Sequence, residues 1–289
     1  MSDATASAAP RLMPLAPERT ADAVAAEIVA VYRAIDGLAH KVSWAQQQTE
    51  RLLCAGGDPA LAAASRAIAA AIDADPGFYD RHPYHSRQHF CEVMLAAALL
   101  CQVHRRSARE SQLVLLAALI HDFDHDGKPS RDFRLERTSL DHAAPFLASA
   151  GVGPDARGQL AALVLATEPR DGVRAALLAR GFHAHGAPLQ PRADVPAELA
   201  ALAHDAALAR LAVLLCEADI LPSVALTFAH AMHLQDLLAL EWGRPLGPKD
   251  KLVFLDSVLS AGVISAYFLP NALAIRQALV RCVDAPRDV

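Results

Sequence analysis

An all-α fold is what this sequence predicts, and three observations carry it. Apolar residues recur at spacings of three and four from about residue 20 to the C-terminal end. No segment shows the β-branched alternation, bounded by turn residues, that marks a strand. The composition is 53% hydrophobic with only 5% aromatic residues, and it leans on Ala and Leu, which lose little on entering a helix.

Taken in order, residues 1–19 are rich in Ala, Pro and Ser without any period and are expected to form a disordered tail. From "ADAVAAEIVAVYRAI" onward the periodicity places helices at 20–35, 41–54 and 59–73. The next, 85–104, begins near Tyr84, so His85 and His89 lie four apart on one face that continues through Val93 and Leu100 toward the core. Segment 108–122 contains the apolar run Leu113 to Ile120, apolar on all sides as a buried helix is, and ends by delivering His121 and Asp122 into the same interior. Helices are expected again at 136–150, 155–167 and 171–180. The Gly and Pro of "RGFHAHGAPLQPRADVP" make 180–196 a loop. The series closes with 196–220, 223–240, 248–268 and 270–283. With no βαβ pattern, phosphate loop or solenoid repeat, one helical domain is expected over 20–289, long enough to bury a substantial core.

Charge excludes some partners. Lys and Arg number 27 against 32 Asp and Glu, a net −5 without long like-charge blocks, so neither nucleic acid nor an anionic membrane surface finds a basic footprint. An anionic substrate then needs positive charge from metal or from a few side chains. The five cysteines include no C-x-x-C pair, which fits reduced core residues. No secretory leader or membrane-spanning run is read, and a cytoplasmic location is expected.

The chemistry concentrates in "YHSRQHF" (84–90) and "HDFDHDG" (121–127). Taken singly, each histidine is more often a hydrogen-bonded core residue than a metal ligand. Asp122 changes the balance, because a buried carboxylate costs several kcal/mol unless a cation or partner neutralises it. The dipeptide alone is weak evidence, since His204 and Asp205 repeat it without a following histidine. A further carboxylate on an apolar helix face is found in "LARLAVLLCEADILPS", where Asp219 lies four after Leu215 and eight after Leu211, with Glu217 pointing roughly the other way. A capping or pairing role remains the alternative for Asp219.

These segments resemble a known family. "YHSRQH" is similar to the Y-H-N-x-x-H signature, and "HDFDHDG" to the H-D-x-D-H-x-G signature, of class I cyclic nucleotide phosphodiesterases in the HD metal-dependent phosphohydrolase superfamily. "LVLATEPR" (163–170) and "EADI" resemble further segments, so the likeness spans roughly 80–275. It implies a compact multi-helix bundle of the HD phosphodiesterase type and two divalent metal ions. His89, His121, Asp122 and Asp219 would hold the tighter one, commonly zinc, and Asp122 would bridge to magnesium or manganese. By the same resemblance a metal-bridging hydroxide attacks phosphorus while His85 acts as general acid. His125 would assist from beside the metals, and Glu136 would hold a metal-bound water; Asp124, pointing away from Asp122 on a helix, is expected to fix a loop or a histidine and not to bind metal. Tyr84 would border the substrate. The expected partner is a small phosphoester, 3′,5′-cyclic nucleotides being the first candidates, with a homodimer as the candidate assembly.

Departures concern the substrate. Ser86 stands where the signature has Asn, Glu92 near its Asp, and Ser130 where an amide side chain follows the second motif. "SAGVISAYFLPN" (260–271) aligns with the region that reads the purine, but Ser260 replaces the glutamine and Val263 the aromatic clamp, and neither pairs with nor stacks on a base. Val263, Ala266 and Tyr267 would then line the pocket base on one helical face. A non-purine phosphoester is therefore an alternative. So are HD-type di-iron oxygenase chemistry, which needs extra ligands from among His142, His183, His185, His230 and His233, and a degenerate non-catalytic domain.

Overall fold

In a computed structural model that describes residues 12–16, 18–127, 132–189 and 195–284, helices account for all the regular structure and no strand occurs among the described residues. They are α1 (Ala21–Ile35), α2 (Lys41–Leu53), α3 (Pro59–Ala74), the single turn α4 (Pro76–Tyr79), α5 (Arg87–Val103), α6 (Ala108–Ile120) and α7 (Arg134–Ser149). There follow α8 (Pro154–Leu165), α9 (Asp171–His185), the single turn α10 (Ala201–His204), α11 (Ala206–Val224), α12 (Phe228–Trp242), α13 (Pro248–Ala261) and α14 (Leu269–Asp284).

Three helices that are apolar all round occupy the centre, because a helix without a polar face must be covered on every side. α5 buries every residue from His89 to Cys101, α6 every residue from Ser111 to Ile120, and α11 every residue from Leu211 to Ala218. α5 packs on α11 and α2, and α6 on α3 and α8. Leu100, Leu116 and Leu215 of these helices are fully buried, and Leu→Ala at such positions costs about 2–5 kcal/mol. Cys54, Cys91, Cys101 and Cys216 are buried free thiols, and Cys282 is exposed. No single helix among the described residues is long and apolar enough to cross a membrane.

Boundaries differ from the sequence expectation where local chemistry intervenes. Helix α5 starts only at Arg87, with extended Ser86 as its N-cap, so His85 precedes the helix instead of lying on it. The expected helix 196–220 breaks at Asp205, whose extended backbone lets its carboxylate accept the N–H groups of Ala207 (2.8 Å) and Leu208 (3.0 Å) and cap α11. α11 then carries Pro222 and runs to Val224, and Thr227 caps a separate α12. Gly262, at φ +70°, stops α13 at Ala261, so the expected helix 248–268 ends early. Residues 180–185, expected as loop, continue α9 to His185, and residues 190–194 of that stretch lie outside the described residues. Residues 1–11 of the expected tail also lie outside them. Leu15 N–H donates to Gln102 Oε1 (2.7 Å), and Tyr267 O–H to the Arg19 carbonyl (2.9 Å), so the segment before α1 touches the body.

Candidate metal and active site

Three central helices aim the chemical groups at one point. His89 comes from the first turn of α5, His121 caps the C-terminus of α6, Asp122 follows it, and Asp219 projects from the middle of α11. The two buried Nε2 atoms are 3.4 Å apart. Asp122 Oδ2 lies 3.2 Å from His89 Nε2 and 3.3 Å from His121 Nε2, and Asp219 Oδ1 lies 3.3 and 3.6 Å from the same atoms. Ligand atoms of His89, His121 and Asp219 all fall within 4.8 Å of one another. An ion bound at about 2.0–2.2 Å keeps neighbouring N and O ligands about 3.0–3.5 Å apart, so the separations among His89, His121 and Asp219 fit one divalent cation, with Asp122 against both imidazoles. His121 Nδ1 bonds the Ala118 carbonyl (2.9 Å), which turns Nε2 toward the cluster.

The electrostatics point the same way. Burial pulls the pKa of both histidines down, but the two carboxylates outweigh it, raising His89 to about 9 and His121 well above its ordinary value. Burial pushes the carboxyls up, and the imidazoles more than reverse this, holding Asp122 and Asp219 well below the carboxylate range. Such a set of donors is balanced by a cation.

Glu136, in the first turn of α7, leaves Oε2 buried without a hydrogen-bond partner, and burial, with added repulsion from Asp122 and Glu168, lifts its pKa to about 7. That orphaned oxygen is what a second cation or its water would satisfy. Glu168, in the segment similar to V-L-A-T-D, faces elsewhere: its Oε2 accepts the N–H groups of Arg170 (3.1 Å), Asp171 (2.6 Å) and Gly172 (3.0 Å) at the start of α9.

Beside the cluster stands His85, in ring contact with His89 (5.7 Å between centroids) and stacked on His125 at 3.9 Å. Its Nδ1 bonds Glu241 Oε1, a residue that the sequence reading did not single out. Glu241 Oε2 accepts the N–H groups of Tyr84 (2.9 Å) and His85 (3.0 Å). Burial raises the Glu241 pKa, but the bond to His85 dominates and holds it at about 2. A carboxylate on an apolar helix is the signal that marks Asp219, and it recurs at the end of α12. Burial lowers His125 to about 4, and its Nδ1 accepts the Gly127 N–H (2.8 Å), so the neutral ring carries its proton on Nε2. Gly127 is at φ +71°, and an added Cβ would come within 2.3 Å of His82 Nδ1.

No protein-family model matches the sequence, and no curated protein matches it. Solved structures do resemble it, the following two among them. The structure of LmjPDEB1 in complex with IBMX gives a TM-score of 0.58 at 15% identity, covering 93% of this chain and 92% of that one. The phosphodiesterase domain of the RhoPDE fusion protein from the choanoflagellate Salpingoeca rosetta gives 0.53 at 17% identity, covering 96% and 91%. This chain has the phosphodiesterase-domain fold.

Within the phosphodiesterase fold, Tyr84 packs its ring against His89 (5.1 Å) and His85 (4.9 Å) at the edge of the cluster. Asp124 is not on a helix as expected: α6 has ended, and Asp124 sits at φ +63°, bonded to Tyr79 and His142. Ser260 is exposed on the last turn of α13 and Val263 is buried, on opposite sides of Gly262. The expected helical face of Val263, Ala266 and Tyr267 does not form, because residues 262–268 are non-helical and Tyr267 turns to Arg19. Ser130 lies outside the described residues. Of the surplus histidines, His142 pairs with Asp124, His183 bonds the Leu202 carbonyl (2.9 Å), and His230 pairs with buried Glu92 (3.1 Å).

Proposed function

We propose that the chain is a metal-dependent phosphoric ester hydrolase, a phosphodiesterase acting on small phosphoesters, with 3′,5′-cyclic nucleotides the first substrates to test. The observation that carries this reading is the convergence of two imidazole nitrogens and two carboxylates beside a separate His85–Glu241 pair. A purely structural metal site has no use for that pair.

His89, His121, Asp122 and Asp219 would hold the tighter ion, zinc by its preference for mixed nitrogen and oxygen ligands, and Asp122 with Glu136 would border a magnesium or manganese site. Bound there, the ions supply an activated water and neutralise phosphoryl charge. The chain's own groups do the rest. Glu241 orients His85 through Nδ1, which leaves Nε2 free to face the departing ester oxygen as the acid. Neutral His125 offers its Nε2–H to a phosphoryl oxygen or the attacking water. Tyr84 walls the site and limits water. The exposed Ser260 and buried Val263 provide no purine platform, which supports including non-purine phosphoesters among the substrates.

The test is a phosphodiester panel, cyclic nucleotides included, run on purified protein with defined zinc, manganese and magnesium. Release of a phosphomonoester, lost on chelation and restored by metal, is expected, and H85A is expected to lower turnover about 10²–10⁴-fold with the fold intact. Turnover indifferent to chelator and to D122A would sink the reading. Oxygen consumption with two irons per chain would replace it with oxygenase chemistry.

A further inference from the structure

We propose that Asp124 and His142 are positioning residues of the metal centre: helix α7 grips the ligand-bearing turn and holds it in a left-handed bend. This rests on the metal-site reading above and assigns work to two residues outside the ligand set.

The turn has a conformational problem. Residues 121–123 still follow a helical path, with His121 N–H bonded to the Ala117 carbonyl and Phe123 N–H to that of Ile120. Continued helix would carry residue 125 about 6 Å along the axis from residue 121. It would take His125 away from the His85 ring on which it stacks. Instead, Asp124 adopts φ +63°, a region unfavourable to any residue with a Cβ, and His125 N–H closes the turn on the Asp122 carbonyl at 3.0 Å.

What holds the bend is a stripe on one helix. Glu136, Ser139 and His142 follow one another at intervals of three along α7 and so share a face. Ser139 Oγ donates to the His121 carbonyl at 3.2 Å, gripping the turn at its start. His142 Nδ1 lies 2.5 Å from Asp124 Oδ2, gripping it at the bend. Glu136, at the head of the stripe, is close enough to Asp122 for their charges to interact. From the other side, the buried Tyr79 donates its O–H to Asp124 Oδ1 at 2.9 Å. Both Asp124 oxygens are therefore engaged away from the cluster. A ligand would have an oxygen to spare, whereas a clamp would not. The same contacts register the helix that carries Glu136 against the turn that carries Asp122, so the clamp sets the spacing between the two candidate cation positions.

Metal-depleted protein titrated with zinc by calorimetry and with cobalt(II) by visible absorption tests this, since both readouts are independent of turnover. H142F keeps a ring but removes the bond; it is expected to weaken zinc affinity about 10–100-fold and shift the cobalt spectrum, as loss of an outer partner does. In H142N the amide N–H stands where Nδ1 stood, and affinity is expected back within about threefold of wild type. Y79F reads the other oxygen and carries the test if H142F does not fold. Wild-type affinity and spectrum in both H142F and Y79F would overturn the clamp while leaving the metal site intact, and H142N as weak as H142F would overturn it too. A wild-type protein that takes up neither ion would instead overturn the metal-site reading, and the clamp with it.

Discussion

Replacing Glu241 by Gln keeps the shape of the side chain and removes its charge, which isolates what the carboxylate contributes beside His85. The carboxyl is held at about 2 against an ordinary 4.5, and at 1.36 kcal/mol per pH unit that corresponds to a ceiling of about 3 kcal/mol. Glu241 is only 3% exposed but its partner is 16% exposed, so solvent screening brings the expected value to about 2 kcal/mol. The sign follows from the direction of the shift. A carboxyl whose folded pKa is depressed contributes stability that is fully present above its unfolded value, near 4.5, and lost as pH falls toward 2. Urea unfolding of wild type and E241Q should therefore differ by about 2 kcal/mol near neutral pH, and the gap should narrow steadily below about pH 4. Turnover should fall about 10²-fold or more with KM little changed, because orientation of the acid is lost and substrate contacts are not. A stability gap that is the same at neutral and acid pH, or absent at neutral pH, would refute the assignment of that energy to the Glu241 carboxylate.

Two further predictions concern buried charges away from the reaction. Burial raises Glu217 to about 7, its Oε1 accepting the Ser265 N–H at 2.8 Å; a carboxyl raised in the fold costs stability as pH climbs from about 4.5 through 7, so E217Q should gain about 2–3 kcal/mol near pH 8.5 and little near pH 4 in thermal melts. Burial alone lowers Lys251 to about 8, a cost present below that pH and gone above about 10.4, so K251M should be more stable than wild type near pH 7, by about 2–3 kcal/mol, with the advantage fading toward pH 10.

What could be read from the sequence was what is periodic or local. The central helices were legible because Leu113 to Ile120 has no polar face, and such a run must be buried wherever it occurs. On α11 only the stripe of Leu211, Leu215 and Asp219 was legible, and Glu217, expected to point the other way, is buried too, accepting the Ser265 N–H. The cluster was legible because its groups keep to local patterns: two of them follow directly on the run 113–120, and Asp219 keeps the inward stripe of α11. Helix ends were less legible, since a single cap decides them. Asp205 breaks one expected helix and Gly262 shortens another, and neither disturbs the hydrophobic period. Partners far apart in the chain were not legible at all. Glu241 reaches His85 across 156 positions and His230 reaches Glu92 across 138, and no spacing rule links residues that meet only once the helices have packed. Asp124 does hold a histidine as expected, bonding His142, but not from a helix, because a left-handed residue with a Cβ is held by its surroundings and not by its own preference.

The same cluster makes a last prediction about protons. Without a cation, the two carboxylates favour protonated imidazoles, His89 at about 9 and His121 well above its ordinary value, both shifts surviving a burial that opposes them. At neutral pH both rings are then charged, and each must give up a proton before its nitrogen can bind a metal. Zinc uptake near pH 7 should therefore release about two protons per ion, and affinity should rise about 100-fold per pH unit until the first ring titrates. Calorimetric titration in buffers of differing ionisation enthalpy counts those protons directly. If zinc binds while releasing none, the ion is held by carboxylates alone, and the pairing of His89 with His121 around a common centre is not what binds it.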